Sequence, residues 1–357
     1  MKNSAHFSIF SHTSQEFASS VRDRLGKGYQ HALLLYQEWF RSGKLINNHP
    51  AFKNAPLLLQ DILNITDFSR PTLELNKHDG STGKFLLKTE DQLEIESVLI
   101  PMPAGPTLCL SSQIGCRMGC AFCETGRMGL LKSLTVHEIV SQLFVARFTL
   151  NSPVRNLVFM GMGEPFDNYE NLMQAIRIFS DPHGFGLGPQ HMTVSTSGRL
   201  NEIYRYIDET GPLPHLAVSL TAPTDELRNR LMPINRRHSL KELHQAMQTY
   251  NIKRGKSILV AYVLLKGLND TIEHANQLAD YLKGLDVKIN VIPYNPQSHD
   301  RYSPPDQNTL EAFTTHLRKR GYYTLLRQTK GQKIMAACGQ LGNLELRRQR
   351  LSILKDQ

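Results

Sequence analysis

Short apolar, β-branched runs alternate with helical stretches from about residue 95 onward, and this alternation constrains the fold more than any other feature. The runs are SVLIPM (97–102), LCLSSQ (108–113), LVFMG (157–161), MTVST (192–196), HLAVSL (215–220), ILVAYVLL (258–265), INVIPY (289–294) and YYTLLRQ (322–328). Helical periodicity fills the gaps over Val136 to Phe148, Tyr169 to Phe179, Leu240 to Tyr250 and Ile272 to Leu282. Strands separated by helices of this length form parallel β/α units. With the first and last runs set aside, six units remain. The first 75 residues differ: Phe17, Val21 and Leu25, then Leu33, Leu34, Tyr36, Trp39 and Phe40, then Leu57 to Leu59, Ile62 and Leu63 recur at helical spacing. The expected organisation is an α/β chain with a helical accessory domain over 1–75 and a linker of turns over 76–94. A β/α core with a C-terminal extension spans 95–343, and a basic tail covers 344–357.

Five cysteines in a chain of 357 residues, an odd number with no secretory leader at Met1 to Ser20, point to metal or redox chemistry rather than a disulfide framework. No apolar run approaches the roughly 20 residues of a membrane span, so the expected location is the cytoplasm, away from membranes. Lys plus Arg exceed Asp plus Glu by 41 to 32, giving a net charge of +9. Such a field attracts polyanions, most simply nucleic acid.

Cys116, Cys120 and Cys123 lie in GCRMGCAFC (115–123), directly after a predicted strand. Three thiolates spaced CxxxCxxC can hold a 4Fe-4S cluster and leave one iron open. Structural zinc asks for four closed ligands, often as two CxxC pairs, and there is no second pair. The polar residues closing successive strands belong at the carboxyl rim of a β/α barrel, where such folds gather their chemistry. They are GMGEP (161–165) with Gly163 and Glu164, then Ser195, Ser219 with Thr221, and Asn295.

CxxxCxxC followed by six β/α units resembles the radical S-adenosylmethionine (SAM) superfamily over roughly residues 95 to 340. The resemblance implies a partial (β/α)6 barrel, with Cys116, Cys120 and Cys123 holding a 4Fe-4S cluster whose open iron binds SAM. SSQIGC (111–116), FMGMGEP (159–165), VSTSG (194–198), LMPIN (231–235), IPYNP (292–296) and AACGQL (336–341) together are similar to the RlmN/Cfr family of rRNA adenine methyltransferases. That resemblance spans most of the chain, including its helical N-terminal part. It implies that Cys338 accepts a methyl group from a first SAM, that a radical made from a second SAM removes hydrogen from it, and that the resulting carbon adds to adenine. Glu96 matches the proton acceptor. Cys109 matches the resolving cysteine, which releases the product through a transient disulfide with Cys338. Gly163, Glu164, Ser195, Ser219, Leu220, Thr221 and Asn295 match SAM-contacting positions, although the family usually carries His where Thr221 stands. The implied partners are large-subunit rRNA or tRNA and an electron donor such as flavodoxin or ferredoxin, with the enzyme a monomer. Carbon 2 and carbon 8 of adenine both remain open. TGRMGLLKSLTVHEI (125–139) and AYVLLKGLNDTIEHAN (261–276) are closer to the carbon-8 branch, GFGLG (184–188) to the carbon-2 branch. The competing readings are a radical SAM enzyme acting on a peptide or small molecule, and a zinc-stabilised RNA-binding module. Three basic stretches suit either phosphate neutralisation or plain surface solvation: Arg228, Arg230, Arg236, Arg237 and His238; Lys253, Arg254 and Lys256; and Arg318, Lys319 and Arg320.

Overall fold

The computed structural model describes residues 6–45, 49–297 and 301–343; the expected basic tail, 344–357, lies outside them. Ten strands form one sheet whose spatial order is the chain order: β1 Thr72–Asp79, β2 Thr82–Lys88, β3 Glu94–Ile100, β4 Thr107–Cys109, β5 Asn156–Phe159, β6 Met192–Thr196, β7 His215–Ser219, β8 Ile258–Leu264, β9 Val287–Pro293 and β10 Tyr323–Leu326. β1 to β4 pair antiparallel. β4 to β10 pair in parallel throughout. The six-unit expectation therefore holds for β4 to β9, with β10 extending it. The curved sheet stays open between β1 and β10, as in a partial barrel.

The parallel strands are joined by helices, several of which start where the sequence provides a cap. Thr135 and Glu138 form a capping box for Val136–Phe144, and Ser239 and Glu242 do the same for Leu240–Arg254. The strand interiors Val194, Leu216, Val218, Val260, Ile289 and Val291 are fully or almost fully buried, the hydrophobic pattern of strands covered on both faces.

The expected linker over 76–94 is instead largely sheet. Asp79 and Thr82 face each other across Gly80–Ser81, and Gly80 has φ +58°, so Gly80–Ser81 turns a two-residue hairpin. β1 is an exposed edge strand of mostly polar residues, TLELNKHD, and so lacks an apolar alternation, whereas Phe85 and Leu87 of β2 are buried. Within the first 75 residues Thr66–Asp67 and the start of β1 are strand, while Ser14–Leu25, Tyr29–Ser42, Pro50–Lys53 and Pro56–Ile65 are helices. They share a core with the barrel. Trp39 stacks on Phe144 at 4.9 Å and Phe40 meets Phe185 edge-on at 4.9 Å, both partners belonging to the β/α region. Among the described residues no helix is long and apolar enough to cross a membrane.

Candidate active site

The loop carrying Cys116, Cys120 and Cys123 leaves β4 through a two-residue strand, Gln113–Ile114, which pairs with Lys132–Ser133. Gly115, at φ +74°, lets it turn: a Cβ there would lie 1.8 Å from the Gly129 carbonyl oxygen. The three cysteines open into one cavity of ≈ 180 Å³ at the carboxyl ends of the strands, together with Gly163, Glu164, Ser195, Ser219, Thr221, Asn295 and Cys338. Sequence reasoning gathered these residues from six separate segments. All reach one cavity.

Burial pushes all three thiols up, Cys120 to about 12. A thiol this reluctant to ionise alone becomes a ligand when a metal replaces its proton. Among the described residues no three His, Cys, Asp or Glu side chains converge as ligands of a single ion would. A cubane cluster takes each thiolate on a different iron and asks for spaced donors. The cavity wall suits a polar ligand beside such a cluster. Thr221 Oγ1 is buried without a hydrogen-bond partner, on a residue held at φ +59°. Gly163, at φ +101°, brings bare backbone to the wall where a Cβ would collide with Gln113. These residues fit a 4Fe-4S cluster with SAM beside it.

Glu164 is also committed to the protein. Its Oε2 accepts 2.8 Å bonds from both the N–H and the hydroxyl of Ser197, and Oε1 accepts from the Phe166 N–H at 3.2 Å. Burial raises its pKa above the usual carboxylate range while these donors pull it back. Leu220, by contrast, is in the hydrophobic core and does not line the cavity; its carbonyl accepts from Arg228 Nε at 3.1 Å.

Arg228 is only 1% exposed. It also donates to Ser197 O, Ser219 O and Asn235 Oδ1 at 2.6, 3.2 and 2.9 Å. The guanidinium thus ties together the turns after β6 and β7 that carry the cavity's polar rim, which corrects its place among the RNA-facing residues. Arg254 and Lys256 donate to main-chain carbonyls, including Tyr206 O and Leu213 O; Lys253 pairs with Asp208, and Arg320 with Asp280. Arg230, Arg236 and Arg237 remain exposed.

A second cavity, ≈ 600 Å³, is lined by Cys109, Arg327 and Lys330 and shares Asn295, Arg327, Leu341 and Cys338 with the first. Cys109, at the end of β4, is almost fully buried, and burial together with the charge of a Cys338 thiolate pushes its thiol up to about 12. The Arg327 guanidinium opposes that rise, and both cysteines hold Arg327 protonated, Cys338 more strongly. Arg327 was not singled out from the sequence: it follows the last strand among other basic residues, with no motif around it. Asn295 Nδ2 donates to Cys338 O at 2.9 Å, fixing the cysteine's own peptide. Glu96 lines neither cavity. It lies behind the Cys338 segment, its Oε1 accepting from the Gly342 N–H at 3.1 Å and its Oε2 2.6 Å from Lys84 Nζ.

An open β/α sheet with CxxxCxxC at the carboxyl end of its first parallel strand defines a radical SAM enzyme, and the Radical SAM superfamily profile matches residues 110–281. The crystal structure of a radical SAM methyltransferase from Sphaerobacter thermophilus superposes with a TM-score of 0.87 at 35% identity, covering 94% of this chain and 98% of that one. The sequence is 64% identical to a probable dual-specificity RNA methyltransferase RlmN 1 of Protochlamydia amoebophila over 98% of both chains. It is 41% identical to the dual-specificity RNA methyltransferase RlmN of Bdellovibrio bacteriovorus over 82% of this chain and 74% of that protein. The chain belongs to the RlmN family of radical SAM RNA methyltransferases.

Proposed function

We propose that this chain methylates carbon 2 or carbon 8 of an adenine in RNA, with Cys338 as the carbon carrier. One observation carries the reading: Cys338 stands on the wall shared by two cavities, one lined by the three cluster cysteines and the other by Cys109. A group attached to its sulfur can be loaded on one side and delivered on the other. Cys116, Cys120 and Cys123 would hold the cluster, which with two SAM molecules per turnover would supply the methyl group and the one-electron chemistry that activates it.

Gly163, Glu164, Ser195, Ser219, Thr221 and Asn295 bind and orient SAM, while Leu220, its N–H held by Ala261 O and its carbonyl by Arg228, only shapes the turn between Ser219 and Thr221. Glu96, reached when the Cys338 segment covering it shifts, takes the proton from the adenine carbon after the carrier carbon has added, work suited to a carboxylate. Cys109 then attacks the Cys338 sulfur. The sulfur–carbon bond breaks, and its electron pair stays on the carbon, which takes up a proton to become the methyl group. The unpaired electron left by the addition would return to the one-electron centre, and a Cys109–Cys338 disulfide remains. A thiol pushed up to about 12 is a poor nucleophile, and Arg327 is the cation placed to favour its ionised form. Direct transfer from SAM to an electron-poor aromatic C–H has no nucleophile to use, which is why a carrier is needed.

The substrate is large-subunit rRNA, with tRNA as a second substrate, in keeping with the dual specificity of the named relatives. Arg230, Arg236 and Arg237 supply exposed charge for phosphates, and the target base leaves its stack to enter. The enzyme works as a monomer in the cytoplasm, takes electrons from a flavodoxin or ferredoxin, and uses residues 1–75 as an accessory unit. Nucleoside mass spectrometry of 23S rRNA and tRNA from cells with and without the gene tests this. The expected result is 2-methyladenosine or 8-methyladenosine present only with the gene, and no difference in either nucleoside overturns the proposal.

A further inference from the structure

The segment bearing Cys338 is fastened at both ends to one buried ion pair. Lys84 Nζ donates to Met335 O at 3.1 Å, three residues before the cysteine, and Glu96 Oε1 accepts from the Gly342 N–H at 3.1 Å, four residues after it. The two side chains meet at 2.6 Å, with side-chain exposures of 11% and 5%. They project from neighbouring strands, β2 and β3, beneath the segment. Both fastened residues are also places where the backbone turns through left-handed conformations, Met335 at φ +52° and Gly342 at φ +138°. A non-glycine residue held there stores of order 1–2 kcal/mol of strain, so Met335 keeps this shape because its surroundings impose it.

We propose that Lys84 and Glu96 form a clasp that holds the Cys338 segment closed over the active site, with Lys84 the positioning residue that keeps Glu96 ionised until it accepts a proton. This rests on the reading of Glu96 as the base. A buried carboxylate is costly unless paired; burial leaves the Glu96 pKa above its ordinary value, and Lys84 is the strongest of the groups that pull it back. The other groups acting on Glu96 are the Gly342 N–H, which also lowers it, and Glu94 on the same strand, which raises it. Beyond Gly342 stands Glu124, itself paired with Arg127 at 3.3 Å. When Glu96 takes the proton from the adenine carbon, the C–H electron pair stays with the base and the carboxylate becomes a neutral acid. The ion pair ends, and the bond from Gly342 loses its charge assistance, about half its strength. The Gly342 end of the segment is thereby loosened, while the Lys84 bond to Met335 O persists, at the step where Cys109 must reach the Cys338 sulfur. One proton would time both events.

Lys84→Met and Lys84→Gln, with Lys84→Arg as the conservative control, test the clasp in the full-length, cluster-loaded protein. The first readout is amide hydrogen exchange over 335–343, which needs no turnover. Loss of the charge should speed exchange there by about tenfold while β3 keeps its protection, and Lys84→Arg should restore the slow rate. The second is single-turnover RNA methylation against pH. Without Lys84 the carboxylate is harder to ionise, so the acidic limb moves to higher pH by about one unit, whereas methylation of Cys338 keeps its own profile. Exchange within twofold of wild type together with an unmoved acidic limb, in Lys84→Gln if Lys84→Met does not fold, overturns the clasp. Faster exchange with an unmoved limb overturns the role of Lys84 in keeping Glu96 ionised. Failure of the wild type to acquire any methyl group on Cys338 strikes instead at the carrier mechanism.

Discussion

Replacing Arg228 by methionine removes the donor that ties the cavity rim together while roughly keeping the volume of the site. The guanidinium makes four bonds, and its loss leaves Ser197 O and Asn235 Oδ1 short of a partner in a buried setting, while Leu220 O keeps the Ala222 N–H. Each stranded acceptor costs about 1–3 kcal/mol. Against this, the wild type bears the burden of a buried cation: burial pushes Arg228 down to about 10, low for an arginine yet still charged at neutral pH. The stranded acceptors together cost about 3–5 kcal/mol. With a urea dependence of about 3 kcal/mol/M, the unfolding midpoint should fall by roughly 1 to 1.7 M. Urea titration followed by circular dichroism reads this directly, and SAM affinity measured in parallel should fall as the Ser197 and Ser219 turns loosen. A midpoint within about 0.3 M of wild type would mean that Arg228 is a replaceable surface charge, and the account of the rim would be wrong.

Cys116→Ala, Cys120→Ala and Cys123→Ala should each lose cluster iron and all 5′-deoxyadenosine formation; about four irons with normal SAM cleavage in any one of them contradicts the ligand set. Thr221→Gly should relieve about 1 kcal/mol of left-handed strain and yet weaken SAM binding, because the unpartnered hydroxyl goes with it; unchanged binding by calorimetry removes Thr221 from the site. Phe144→Ala, which strips the ring stacked on Trp39, should cost about 3–5 kcal/mol, read as a lowered unfolding midpoint; a loss under 1 kcal/mol would mean that the N-terminal helices are not packed through this residue. At pH 8, iodoacetamide should label half-buried Cys338 before Cys109, whose thiolate fraction is of order 1 in 10,000. Equal labelling by peptide mass spectrometry contradicts the burial of Cys109.

The parallel half of the sheet was legible because each strand from Asn156 to Pro293 is an apolar run bounded by turn residues, and the cluster loop because three cysteines in eight residues admit few chemistries. β1 was not legible. An edge strand reading TLELNKHD has no buried face to impose alternation, so its turn residues read as a linker. Arg228 was misplaced because it sits among Arg230, Arg236 and Arg237 in sequence. Only its spacing from Leu231, one helical turn on, hinted that it shares the buried face with Leu227 and Leu231. Glu96 is a different case. The motif gave its role, but Ile95, Glu96, Ser97 and Val98 are all buried, so no pattern could show which group the carboxylate meets. Its pairing with Lys84, twelve residues earlier, follows from the hairpin that the sequence concealed.

Incubating Cys109→Ala with RNA, SAM and reductant tests the central claim most directly. Cys338 can still accept and deliver its carbon, but no thiol remains to break the sulfur–carbon link. The account predicts an RNA–protein adduct through Cys338, stable to denaturant and lost on ribonuclease digestion, with a mass step on the Cys338 peptide. Free methylated adenine at the wild-type rate, with no adduct, would contradict it.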